Sequence, residues 1–200
     1  MVVVTPLRPA GPSRERLART AMRMFAERGY DGVSNREIVA ACGLTKGAIY
    51  WYFESKEDLY ATVVAEALQS FQQRVVQALA DSAPWDARLG SLFSLFVEVL
   101  QSDDDPHRDL LVLMVHRFRR GPGADSMIAG AYEQLTGWVQ QVLAERGGDP
   151  EVHAEDAALV CATGLGVLAE AAAGRRASPR AFRGLLRGLG GRSPDLVGRR

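Results

Sequence analysis

The sequence predicts an all-α fold of about nine helices, and three observations carry the prediction. Apolar residues recur at helical spacing through almost the whole chain, with no convincing period-2 alternation. Helix starts and stops punctuate that pattern, with Ser13, Ser34, Thr45, Ser55 and Asp149-Pro150 at starts and Gly29 and Gly147-Gly148 at ends. The composition, 47% hydrophobic and 24% charged over 200 residues, suits one or two small domains with a real core.

In chain order, residues 1–12 hold three prolines and a glycine and read as a disordered arm. Ser13 caps a first helix whose apolar positions are Leu17, Ala21, Met24 and Phe25, and Gly29 ends it. Ser34 and Glu37 form a capping box, with Val33 and Ile38 as a hydrophobic staple, so a short helix runs from about Asn35 to Ala41. Cys42-Gly43-Leu44 breaks it, and Thr45 caps a further short helix. Helix, three-residue turn containing glycine, helix is the arithmetic of a helix-turn-helix.

Ser55 then caps a long amphipathic helix with Leu59, Val63, Ala67, Phe71, Val75 and Leu79 along one side. A fifth helix spans about Trp85 to Leu100, and Pro106 suits the first turn of a sixth. That sixth helix is apolar almost all round from Leu110 to Val115, which predicts deep burial, and Arg119-Arg120-Gly121-Pro122-Gly123 stops it. A seventh covers about Ser126 to Arg146, an eighth about Asp149 to Gly174, and a ninth starts at Ser178-Pro179. Residues 191–200 read as a loose tail.

The totals narrow the function classes. Net charge is zero, and between Ser13 and Tyr60 eight basic residues face seven acidic ones, so charge alone argues neither for nor against nucleic acid. No apolar run reads as long enough to span a bilayer, and Cys42 and Cys161 are far apart without a CxxC. These point to a reduced cytoplasmic protein without a disulfide framework. His107, His116 and His153 are scattered, no metal-ligand spacing occurs, and no cofactor motif such as a P-loop or G-x-S-x-G is present. The expectation is no metal and no cofactor.

The stretch LTKGAIYWYF, residues 44–53, carries the most chemistry. With Lys46 at 0°, the 100° helical step puts Tyr50 at about 40°, Gly47 at about 100° and Trp51 at about 140°. Ile49 and Phe53 fall at about 300° and 340°, toward a core, while Tyr52 at about 240° stays undecided. Lysine supplies a charge for phosphate, glycine permits close backbone approach, and tyrosine offers a ring and a hydroxyl. Thr45 and the free amides at the helix start add an anion site.

From about Arg16 to Leu59 the chain resembles the DNA-binding domain of the TetR family of transcriptional regulators. The matching residues are Ala21, Phe25, Gly29-Tyr30, Val33-Ser34, Ile38, Ala41, Gly43, Lys46-Gly47, Ile49-Tyr50, Tyr52-Phe53, Ser55-Lys56-Glu57 and Leu59. The resemblance implies a DNA-binding domain over 13–59 and a ligand-sensing and dimerisation domain over 60–190. It implies a homodimer whose recognition helices enter successive major grooves of a palindromic operator. By position, DNA contacts are implied at Leu44, Thr45, Lys46, Gly47, Tyr50, Trp51 and Tyr52, a backbone clamp at Lys56, and phosphate contacts at Ser34 and Asn35. It also implies a small-molecule effector that relieves repression.

Past residue 60 the resemblance lies only in the helix plan. The eighth helix is rich in small residues, which let helix axes approach closely, so it and the ninth read as a dimer seam. The seam residues expected are Ala158, Cys161, Ala162, Leu165, Gly166, Ala169, Phe182, Leu185, Leu186 and Leu189. An effector pocket is expected between the long fourth helix and helices five to seven, lined by Trp85, Phe93, Phe96, Met114, Phe118, Tyr132 and Trp138, with His116, Arg117 and Gln134 to orient a ligand. An apolar or aromatic molecule fits such a lining. Control of efflux or antibiotic resistance is the subgroup this suggests, and the arginine-rich, lysine-poor composition suggests a bacterial genome of high GC content. The rival readings are a ligand-independent repressor or activator and, more remotely, a small all-α enzyme. No membrane partner is expected.

Overall fold

The structure is a computed structural model describing residues 11–80, 82–118, 126–175 and 179–190. Among these lie nine α-helices and no strand: α1 Pro12–Arg28, α2 Asn35–Ala41, α3 Lys46–Tyr52, α4 Lys56–Leu79, α5 Trp85–Gln101, α6 Arg108–Phe118, α7 Ser126–Ala144, α8 Pro150–Ala172 and α9 Pro179–Gly190. The expected arm over 1–10, the stop at 119–123 and the tail over 191–200 fall outside the described residues.

Local chemistry explains most boundaries. At α2 the capping box forms: the Glu37 amide donates to Ser34 Oγ at 3.3 Å, and the Ser34 amide donates to Glu37 Oε2 at 2.9 Å. The helix ends where Gly43, at φ 63°, turns the chain. The Leu44 amide then reaches the Val39 carbonyl and the Gly43 amide the Ala40 carbonyl, a Schellman closure. Ser55 caps α4 by accepting from the Asp58 amide, and Asp149 caps α8 by accepting from the Glu151 amide, with Pro150 in its first turn.

Three expected starts differ. Gly11, not Ser13, stands at the N-cap of α1, because Pro12 has no N–H to satisfy and opens the helix itself. Pro106 precedes α6: Asp105 Oδ1 accepts from the His107 amide, and the His107 carbonyl takes the first helical bond, from Leu111. Thr45 is at the N-cap of α3 but makes no side-chain capping bond.

The helices α1 to α3 close around Leu17, Ala21, Phe25, Val33, Ile38, Ile49 and Phe53, all nearly inaccessible. The uninterrupted α4 adds Leu59 and Val63 to this core and continues into the second half of the molecule. Arg14, buried over the Phe53 ring, donates two hydrogen bonds to Glu66, at 2.6 and 3.4 Å, fixing α1 to α4. α1 also packs along α6. In the second half, Arg146 binds buried Asp156 at 2.7 Å, donates to the Leu189 carbonyl and lies 5.1 Å over the Trp85 ring. One guanidinium thereby joins the ends of α5, α7 and α9 to α8. Both cysteines are buried free thiols.

By length and composition alone α8 is long and apolar enough to cross a membrane, a test that a core helix also passes, and Asp156 and Glu170 interrupt its apolar run. Only 33% of its most apolar window is buried within the chain, so a run of small apolar surface is left outside.

Candidate nucleic-acid interface and effector chamber

On α3 the two faces separate cleanly. Ile49 and Phe53 are 1% and 2% exposed, whereas Tyr50 and Trp51 are 56% and 57% exposed. Thr45 and Gly47 join them on the outside, Leu44 and Tyr52 are half-buried, and the Lys46 side chain lies outside the described residues. A methyl placed on Gly47 would meet nothing within 4 Å, so the fold itself does not require glycine there.

Beside this strip, the capping network occupies Ser34. Its hydroxyl donates to Glu37 Oε2 at 2.6 Å and its amide to the same oxygen, so both donors are committed and a phosphate contact there would open the box. Bonds from Ser34, then from Arg28, hold the Glu37 carboxyl down at about 2. Arg28 at 2.6 Å also ties the end of α1 to the start of α2. Asn35 is half-buried, with Oδ1 buried and without a hydrogen-bond partner. Lys56 Nζ sits 4.0 Å over the Tyr30 ring, and Tyr30 Oη donates to Glu57 Oε1 at 2.5 Å. Burial and then this bond push the Tyr30 phenol up to about 12. The lysine is thus held by an aromatic ring rather than swinging freely.

Among the described residues, an inner and an outer cavity lie between the helices from α4 onward. The inner one of about 60 Å³ lies between α5, α6, α7 and α8, closed at α9 by Phe182, which stacks on Phe93 at 4.2 Å. The outer one of about 330 Å³ lies between α4, α5, α6 and α7 and carries Gln69, Gln72 and Gln134. Of the expected lining, Phe93 and Tyr132 border the inner cavity, Gln134 and Trp138 the outer, and Phe96 and Met114 both. The side chains of Arg117 and Phe118 lie outside the described residues.

Two expected lining residues lie elsewhere. Trp85 packs at the start of α5 against Arg146 and Gly190. His116 is exposed and borders a separate hollow with Phe25, Tyr30 and Tyr60, because a two-residue step from Met114 turns the helix by about 200°. The inner wall drawn from α8, namely Val160, Cys161, Gly164, Leu165 and Leu168, was not expected there. Its spacing of three and four residues was visible in the sequence, but equally small residues on the opposite face masked it.

The expected dimer seam splits for the same reason. Cys161, Leu165 and Phe182 line the inner cavity, and Leu186 and Leu189 are buried within the chain, so these five face inward. Ala169 and Leu185 are half-buried. Ala158, Ala162 and Gly166 are exposed, with Leu159 beside them at 42%.

A family model described as bacterial regulatory proteins, tetR family, matches residues 17–63. The transcriptional repressor DhaR of Mycobacterium sp. is 36% identical over 44% of this chain and 46% of its own length. The transcriptional regulator UidR of Escherichia coli is 26% identical over 91% of this chain and 93% of its own. The chain spans about half the length of the first curated relatives it matches. A TetR-like regulator from Rhodococcus sp. has the same fold, with a TM-score of 0.76 and 18% identity over 92% of this chain and 100% of its own. So does AibR, solved with isovaleryl coenzyme A and operator DNA, at a TM-score of 0.65 and 18% identity over 91% and 98%. Residues 17–63, with the helix-turn-helix on α2 and α3, thus carry the DNA-binding domain of the TetR family of bacterial regulatory proteins, and the fold around them is the one TetR-like regulators share.

Proposed function

We propose that the chain is a homodimeric transcriptional regulator that reads a palindromic DNA operator through α3 and is released by a small molecule held in the sensor half. The observation that carries the reading is the exposed pair Tyr50 and Trp51 beside Gly47, on a helix whose inner face is fully used by Ile49 and Phe53. Aromatic surface that the fold leaves outside, next to a bare stretch of backbone, suits sugar, phosphate and base-edge contacts in a major groove. Residues 13–59 serve as the reading unit and 60–190 as the sensing and dimerisation unit, with α4 common to both.

Among the contacts, Thr45, Lys46 and Tyr50 serve phosphate or base edges, Leu44, Gly47, Trp51 and Tyr52 complete the strip, and Lys56 clamps the backbone. Ser34 acts chiefly as the cap of α2, with Asn35 beside it. The dimer forms on the exposed face of α8, through Ala158, Ala162 and Gly166, where small side chains let a second copy approach closely. Half-sites one helical turn apart set reading heads about 34–36 Å apart. An effector that favours a tilted α4 changes that spacing, to the extent that it binds the two states unequally. The 330 Å³ outer cavity favours this over a ligand-independent repressor, whose sensor core would be filled. Control of efflux or antibiotic resistance fits an apolar chamber.

The test is selection of bound fragments from random duplex DNA by the purified protein, with Tyr50→Ala as control. A palindrome enriched by the wild type and lost in the variant supports the reading. Absence of enrichment at low salt from a verified dimer overturns it.

A further inference from the structure

The inner and outer cavities share three wall residues, Phe96, Met114 and Leu135. Phe96 is held edge-on against Phe71 at 5.1 Å. Met114 is unbranched, with three rotatable bonds, so it is the member of the partition that yields most easily. Beyond it the inner lining is hydrocarbon apart from Tyr132 and Cys161, and burial raises both of those groups, keeping them neutral. A chamber of that lining offers water few polar partners and favours hydrocarbon in its place.

The polar groups lie at the other end. Gln69, Gln72 and Gln134 border the outer cavity, each able to donate and to accept. Among the described residues lining either cavity there is no Asp, Glu, Lys, Arg or His. An ion carried inward would be stripped of water without a counter-charge to meet it.

We propose that the effector is an elongated molecule without net charge, its apolar tail passing the Phe96–Met114–Leu135 partition into the inner chamber and its uncharged polar head held among the three glutamines. The proposal rests on the reading of the sensor half as an effector site. It selects amides, alcohols, ketones or esters on a hydrocarbon body, and it disfavours carboxylates, phosphates and quaternary amines. Met114 acts as the gate that lets a long tail into the second chamber.

The experiment is displacement of Nile red, a neutral fluorescent probe, from the full chain by decanamide, hexanamide, decanoate and decyltrimethylammonium. Decanamide is expected to displace it at concentrations at least about tenfold below either charged congener. It is also expected to outperform hexanamide by on the order of a hundredfold, from the four additional buried methylenes. In Met114→Phe the rigid ring closes the partition, and the advantage of decanamide over hexanamide should fall below about tenfold. Equal or better displacement by a charged congener in the wild type overturns the proposal, whatever the variant does. So does a chain-length advantage that a folded Met114→Phe protein keeps in full.

Operator release, measured with the same compounds, separates the two claims. Decanamide that binds by these rules without releasing DNA leaves the chamber assignment standing and removes ligand control from the proposed function. Release that decanoate produces as well as decanamide keeps ligand control and removes the neutral-ligand rule.

Discussion

Helices α3 and α8 differ in how their two faces are made. In α3 the inward residues Ile49 and Phe53 are nearly inaccessible, and the outward Tyr50 and Trp51 are large, costly to leave in water and more than half exposed. In α8 the neighbours Cys161 and Ala162, about 100° apart around the helix, face different ways, one into a cavity and one outward, yet both are small and apolar. Large groups held outside against the hydrophobic effect mark a surface that something else must use. Small apolar groups on both faces mark only close packing, and which face meets which neighbour is settled by the tertiary structure.

Arg146→Ala removes the cation 2.7 Å from Asp156, which is 2% exposed, together with the bond to the Leu189 carbonyl, and is expected to cost about 3–5 kcal/mol of stability in denaturant unfolding. A loss under about 1 kcal/mol would show that the ends of α5, α7 and α9 are held by other contacts. Next in size, Tyr50→Ala should weaken operator binding by about 1–3 kcal/mol. Ser34→Ala removes the acceptor for the Glu37 amide and should cost about 1 kcal/mol of stability. If its effect on DNA affinity exceeds its effect on stability, Ser34 contacts phosphate after all.

Gly47→Ala sharpens the contrast because its two effects have opposite signs. Alanine meets open space and favours helix by up to about 1 kcal/mol, so the melting temperature should hold or rise while operator affinity falls. On α8, Gly166 likewise has nothing within 4 Å, so Gly166→Leu should leave each chain folded and disrupt the proposed dimer in sedimentation.

The smallest effect concerns the joint between α4 and the start of α6. His107 contacts Ser70 at 2.8 Å, Arg74 at 3.1 Å and Asp105 at 3.3 Å. Burial lowers the imidazole below its ordinary 6.5, with Asp105 opposing the shift and Arg74 adding to it. The unfolded chain then takes up the proton first as pH falls. Stability from this group is fully present above 6.5 and declines as pH drops from there toward the lowered value. A His107→Gln variant should lose that part of the slope in unfolding measured from pH 8 to 5.

The same contrast explains what was legible in the sequence. The box of Ser34 and Glu37, the glycine turn and the outward strip of α3 depend on contacts within about six residues, so spacing alone located them. Phe96 and Tyr132 emerged as lining because they are large and apolar on helices with a polar back, and Met114 because the sixth helix is apolar almost all round. His116 and Trp85 misled because residue type suggested a ligand contact while helix phase pointed them away. The wall contributed by α8 depends on the rotation of that helix about its own axis, which Arg146, Asp156 and the stacked Phe93 and Phe182 rings help to fix. Those are contacts between segments far apart in the chain, invisible to periodicity.

The central claim is that α3 displays residues for DNA that the fold does not need. Its most direct test measures Tyr50→Ala twice, as the dissociation constant on a selected palindromic fragment and as the melting temperature of the free protein. The account predicts roughly a 5- to 150-fold loss of affinity with an essentially unchanged melting temperature. Unchanged affinity, or a loss matched by a comparable drop in stability, would contradict it.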